Sequence, residues 1–175
     1  MAPDPSAPET LTVERRRWTR WLWLPLLVVV LAVAAWWVRN PADLPASDDV
    51  VVARVKAGQT VYLGVPVDVR GSRTIEVREV RITATGPADT TVSTALWTCT
   101  GGSVSQTTAP EPFCDDWREA EGTSVSLGGG DQLVVAVNAS VPGVVEVSRI
   151  ELDFSDGWQR GSGRIGPRFE VTLLG

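Results

Sequence analysis

The stretch Val145-Glu146-Val147-Ser148-Arg149-Ile150-Glu151-Leu152-Asp153-Phe154 alternates apolar and polar residues, slips phase once, and alternates again. Val145 and Val147 fall on one face of an extended chain. Ile150, Leu152 and Phe154 return to that face only if one extra residue is accommodated after Val147. A period of two specifies a half-buried strand, and a single slip within it is what a β-bulge produces. Glu151, Asp153 and Asp156 then read as the wet face of that strand, and Asp156-Gly157 opens a turn.

The pattern recurs on both sides of this strand. Ile165, Phe169, Val171 and Leu173 alternate toward the C-terminus. Leu133 to Val137 is apolar on both faces, as a central strand is, and turn signals flank it at Gly130-Asp131 and Pro142-Gly143. From Val61 to Val69 the odd positions are apolar, while Pro66, which cannot donate to a ladder, marks an edge or a bulge. After Gly71-Ser72 the apolar phase changes from Ile75 and Val77 to Val80, Ile82 and Ala84, a second slip across Arg78-Glu79. With Val50 to Val55, a strand near Val92 to Trp97 and a short one near Val125, residues 50–175 hold seven or eight strands. This count predicts an all-β domain, an immunoglobulin-like β-sandwich, with a barrel as the other all-β form.

Ahead of this domain, Trp21 to Val38 reads WLWLPLLVVVLAVAAWWV without a charge. At about 1.5 Å per helical residue, this run with Trp18 and Thr19 spans a bilayer core, so residues 15–39 are expected to form a basic flank and a transmembrane helix. Contact with the bilayer falls on residues 18–38. Trp18, Trp21 and Trp23 at one end, and Trp36 and Trp37 at the other, suit the two headgroup regions. Pro25 lies in the first turns, where a missing donor is least costly. Arg15, Arg16, Arg17 and Arg20 precede the run, and only Arg39 follows it before Asp43, Asp48 and Asp49. The positive-inside bias therefore predicts a single-pass cell-membrane protein with a cytoplasmic N-terminus and an extracytoplasmic C-terminal domain.

A cleavable signal peptide is the rival reading, because Ala32-Val33-Ala34 has the small-x-small form of a cleavage site. The apolar run continues past that site through Trp37, which favours an anchor. No cysteine follows the run, so lipoprotein processing is not expected. Residues 1–14, rich in proline and poor in apolar side chains, read as a disordered cytoplasmic tail. Residues 40–49, with Pro41, Pro45 and three aspartates, read as a polar linker lifting the domain off the bilayer.

Composition narrows the function. At 175 residues the chain has room for one modest domain beyond the helix, which excludes a multidomain enzyme. There is no histidine, one methionine and two cysteines, so neither a metal site nor a cofactor is expected. Lys56 is the only lysine, and this arginine bias suggests a GC-rich genome. The formal charge is −5, with the arginine cluster at one end and an acidic remainder that makes nucleic acid a poor partner.

Cys99 and Cys114 bracket a Gly/Ser/Thr/Pro-rich loop on the outer side of the predicted topology, where disulfides persist. They are expected to be bonded, stabilising by about 3 kcal/mol in the chain-entropy description. No C-x-x-C spacing supports a redox role. Gly161-Ser162-Gly163-Arg164-Ile165-Gly166 matches the dinucleotide fingerprint letter for letter, but Pro167 and an alternating strand follow where that motif needs a helix. A hairpin loop is the expectation there. Asp115, Asp116, Glu119 and Glu121, with Glu111, form an acidic cluster that lacks the repeated ligand positions of a calcium loop and reads as solvated. Without histidine there is no Ser-His or Cys-His pair, and neither S-x-x-K nor a Walker loop occurs, so the chain is not expected to be an enzyme.

Three tryptophans lie beyond the helix. Trp97 and Trp117, close to the cysteines, suit packing beside a disulfide in an immunoglobulin-like core, while Trp158, in a turn, is a candidate for an exposed contact. The longest irregular stretch expected outside the membrane is Thr100 to Gly122. It places the candidate partner contact on Phe113, Asp115, Asp116, Trp117 and Glu119, with Trp158 as a further candidate. The competing expectation has Phe113 and Trp117 folding back onto the core.

The arginine-rich start, the single apolar helix and the DQLVVAV, RIELDFSDG and GPRFEVTL succession of terminal strands together resemble small actinobacterial signal-anchored proteins with an immunoglobulin-like outer domain. The resemblance is one of architecture and carries no binding or catalytic residue across. It implies an accessory or scaffolding subunit of a cell-envelope assembly, with envelope or membrane proteins as partners. The alternative is a receptor-like module for a small ligand or envelope glycan.

Overall fold

The computed structural model describes residues 19–67, 71–88 and 90–175, with side chains of the helix described from Trp23 onward. The tail expected over residues 1–14, the arginines at 15–17 and the end of the Val61 to Val69 run lie outside the described residues. Helix α1 is Thr19–Arg39, 21 residues long, with Pro25 inside it. Trp23, Leu24, Leu31, Trp36 and Trp37 are all more than half exposed. Among the described residues no helix is long and apolar enough to cross a membrane.

The chain divides into two compact units, one ending at Trp36 and the other running from Trp37 to Gly175. In the second unit the described residues form eleven strands: β1 Ala46–Lys56, β2 Val61–Gly64, β3 Arg73–Thr85, β4 Ser93–Thr100, β5 Gln106–Thr107, β6 Asp116–Glu119, β7 Ser124–Leu127, β8 Gln132–Asn138, β9 Gly143–Asp156, β10 Gln159–Arg164 and β11 Gly166–Leu174. They make a six-stranded sheet, β1-β11-β9-β3-β7 with β10 also on β9, and a five-stranded sheet, β5-β2-β8-β4-β6. The fold is a two-sheet sandwich. The layers share a core that includes Leu63, Val77, Val135, Leu152, Phe154, Phe169 and Val171. Each such side chain contributes about 1.5–3 kcal/mol by leaving water.

Both phase slips are register shifts. In the β3–β9 ladder Val77 pairs with Phe154 and Glu79 with Asp153, leaving Arg78 as the extra residue. Thr83 pairs with Arg149 and Ala84 with Val147, leaving Ser148 as the extra residue on β9. The bulges restore Ile75, Val77, Val145, Val147, Ile150, Leu152 and Phe154 to the inner face, where all are buried.

Eleven strands replace the expected seven or eight for two local reasons. The stretch expected to be irregular, Thr100 to Gly122, contributes β5, which pairs with β2, and β6, which pairs with β4. The glycines Gly161 and Gly163 lie in β10, paired with Phe154 and Leu152, and not in a hairpin loop. The Val61 run is a strand as expected but shorter, ending at Gly64 just ahead of Pro66, which has no donor to offer. A Cβ on Gly161 would stand 2.4 Å from Pro41 Cγ, and one on Gly163 about 3.6 Å from Leu44. Glycine at 161 is what lets Pro41 lie on this strand, whereas position 163 has room for a Cβ in ordinary contact with Leu44.

The segment expected to be a plain polar linker is thus attached to the domain. Leu44 is buried in the core cluster. Arg73 Nη1 donates to the Asp43 carbonyl at 3.2 Å, and Gln159 Nε2 donates to the Trp37 carbonyl at 2.9 Å. Strand β1 begins at Ala46, ahead of the expected Val50, and pairs in parallel with β11.

Candidate functional site: the outer face of the five-stranded sheet

Alternation along β8 sends Leu133, Val135 and Val137 inward and Val134 outward, yet Val134 is as inaccessible as the others. Its cover is a second apolar cluster on the outer face. Cys99, Val104 and Val134 are buried there, with Tyr62, Trp97, Cys114 and Trp117 packed around them. Trp117 stacks on Trp97, with centroids 5.2 Å apart and planes 6° from parallel, and meets Tyr62 edge to face at 5.5 Å. Both arrangements are favoured by the ring quadrupoles.

Cys99 and Cys114 are joined by a disulfide, 15 residues apart in sequence. It closes the loop whose two limbs hold the cluster. Asp115 N donates to Thr100 O at 2.9 Å. Gly102 passes so near the other limb that a Cβ there would stand 1.9 Å from the Phe113 carbonyl. Val104, the apolar plug of the loop, has its N–H bonded to Gln132 Oε1 at 2.6 Å. Thr107 and Ala109 exchange two hydrogen bonds of 3.1 Å, so the tip of the loop is ordered by its own polar groups.

The expected contact residues divide. Trp117 is half-buried as part of the aromatic cover, on the outer face of one sheet and not in the inter-sheet core. Phe113 does not fold back: it ends a 3-10 turn, Glu111–Phe113, and is 56% exposed. Asp115 is exposed, with its carboxylate beside Gly101, Asp116 pairs with Arg118, and Glu119 is exposed opposite Trp97 in the β4–β6 ladder. These five residues share one edge of the five-stranded sheet, since β6 is its last strand. Glu121 turns away to accept the Val80 N–H at 2.9 Å. Among the described residues no three carboxylates gather closely enough to hold an ion.

Trp158 is not brought to this edge. It stands in the β9–β10 turn of the other sheet, 86% exposed. Tyr62 and Val104 belong to the aromatic cluster although sequence reasoning did not single them out. The signal for Tyr62 was present, as the one aromatic on the even face of an otherwise polar alternation.

A concavity of about 960 Å³ opens elsewhere on the sandwich, between Pro45, Val65, Gly102, Gly130, Asp131 and Gln132. Asp131 Oδ2 accepts from Ser126 N, and Gln132 Oε1 from Val104 N, so these two side chains hold their own loops, while Ser47, Asp49 and Ser103 also line the concavity. Among the described residues no aromatic side chain lines it, so it offers no stacking surface to a small ligand.

Compared with known proteins, the chain matches no family model and no curated protein.

Proposed function

We propose that this protein is a single-pass membrane protein whose β-sandwich lies outside the cytoplasm and serves as an accessory or scaffolding subunit of a cell-envelope assembly. Its partner contact is the edge of the five-stranded sheet formed by Phe113, Asp115, Asp116 and Glu119, backed by Trp117. The observation that carries this reading is the exposed Phe113 beside a rigid, disulfide-closed aromatic cluster. An apolar side chain held out on an ordered loop and rimmed by carboxylates has the composition of a protein contact.

The membrane assignment is supported by the uncharged run Trp21 to Val38 and by the exposure of the apolar side chains of α1. Those side chains need an apolar surrounding. The N-terminal arginines support an N-in orientation. An immunoglobulin-like relationship is supported by the two antiparallel-rich sheets and by the parallel pairing of the first and last strands. The disulfide departs from the antibody pattern, because it lies on the outer face of one sheet and does not bridge the two.

The stacked Trp97 and Trp117 also give some support to a glycan-binding module, since sugars pack on indole faces. Crosslinking in cells separates the two readings. A protein reproducibly attached to the carbonate-resistant chain supports the scaffold. A carbonate-resistant chain with no protein attached and with affinity for envelope glycan supports the receptor-like module.

A further inference from the structure

Trp158 is the most exposed large hydrophobic side chain among the described residues, at 86%. The turn does not require it, because Gly157, with φ 59°, already supplies the left-handed residue that reverses the chain between β9 and β10. The surroundings of this turn are specific. Gln159 Nε2 donates to the carbonyl of Trp37, in the last turn of α1, at 2.9 Å. Arg73 donates to the Asp43 carbonyl and at the same time pairs with Asp156 at 2.8 Å, tying residues 37–44 to the hairpin at a second point. Pro41 against Gly161 is a third.

We propose that Trp158 seats in the headgroup layer of the membrane, so that the β9–β10 hairpin is a second attachment of the domain to the bilayer. This rests on the reading of α1 as a membrane anchor. Trp36 and Trp37 then mark the level of the outer headgroups, where indoles are favoured. Trp158 is the chain neighbour of the residue bonded to Trp37, with its Cα about 3.8 Å from that of Gln159. Each interfacial layer is about 5–7 Å deep, so an indole of this reach enters it readily. Arg39 and Arg160 are exposed in the same region beside the exposed Asp43, whereas Asp156 is held by Arg73, so the two arginines outnumber the one open carboxylate facing anionic headgroups. A dry partner surface is the other way to cover such a side chain, and a membrane free of other proteins distinguishes it.

The test uses the full chain in phosphatidylcholine–phosphatidylglycerol vesicles. Its two cysteines are bonded to each other, so W158C gives a single thiol for an environment-sensitive fluorophore. S140C, in the exposed turn at the opposite end of β9, gives the reference. Both positions are exposed, so neither change disturbs the fold. The expected result is a blue-shifted probe at position 158, quenched several-fold more than that at 140 by lipids spin-labelled near the headgroup. Equal, weak quenching at both positions in a carbonate-resistant protein overturns the hairpin attachment alone. Release of the protein by carbonate overturns the anchor reading, and the inference with it.

Discussion

Trp117 lies flat on Trp97 although the two are not ladder partners: Trp117 pairs with Cys99, and Trp97 with Glu119. The stack is therefore a diagonal contact, in which the indole of the edge strand reaches back across the sheet over Val134 toward Tyr62. It makes an edge strand of four residues part of a packed cluster, and it holds Phe113 and the carboxylates in place.

Removing that indole has a large effect for an outer-face residue. Trp117→Ala exposes Val134 and Cys99 and is expected to destabilise by about 2–4 kcal/mol, toward the lower part of the range for tryptophan truncation because the ring is only half-buried. Phe113→Ala is expected to fall within about 0.5 kcal/mol of the parent. Urea titration of both variants measures the contrast, and equal losses would mean that Phe113 packs as Trp117 does.

The disulfide is expected to act on stability and not on redox chemistry. Replacing Cys99 and Cys114 together by alanine should cost about 3 kcal/mol, read from the same titration. Mass spectrometry of protein from its native compartment should find both sulfurs bonded; two free thiols there would contradict the extracytoplasmic placement.

Arg73 joins residues 37–44 to the hairpin through one exposed bond to a carbonyl and one partly shielded bond to a carboxylate. Arg73→Ala is expected to destabilise by about 1.5–3 kcal/mol, the range for hydrogen bonds to charged groups. It should also make the bond after Arg39 more sensitive to trypsin. Gly161→Ala tests the same attachment by sterics alone: Pro41 must shift, so cleavage after Arg39 should quicken. Unchanged cleavage in both variants would mean that these residues are not held against the sheet.

The parts of the fold that were legible in sequence are those written in a single strand's alternation. Both bulges could be read from the phase slips at Arg78-Glu79 and Ser148-Arg149, because a buried face tolerates no residue out of register. Leu133 to Val137, apolar on both faces, announced a strand covered on both sides. The identity of the outer cover was not legible, since it depends on Trp117 reaching across two strands, β4 and β8, to Tyr62. Ala46 to Asp49 joins β1 although all four residues are exposed and three are polar, with Ala46 paired to Gly166 of β11 at the far end of the chain. Gly161 looked like a turn residue because a glycine's need for space is set by what packs on it, here Pro41, more than a hundred positions earlier. At the candidate site, Phe113 and the acidic residues were visible as an unusual mixture, but the division of labour between an exposed Phe113 and a half-buried Trp117 is set by contacts with Trp97 and Tyr62 on other strands.

The central claim is that the Phe113 edge contacts a protein partner in the cell envelope. A photo-crosslinking amino acid at position 113 of the full chain, introduced in cells, tests it most directly. The account predicts a discrete protein adduct that the triple replacement of Asp115, Asp116 and Glu119 by serine weakens while thermal stability stays nearly unchanged, since these carboxylates are on the rim or paired only with exposed cations. A folded, membrane-retained protein that gives no adduct at position 113, or an adduct indifferent to the triple replacement, would contradict it.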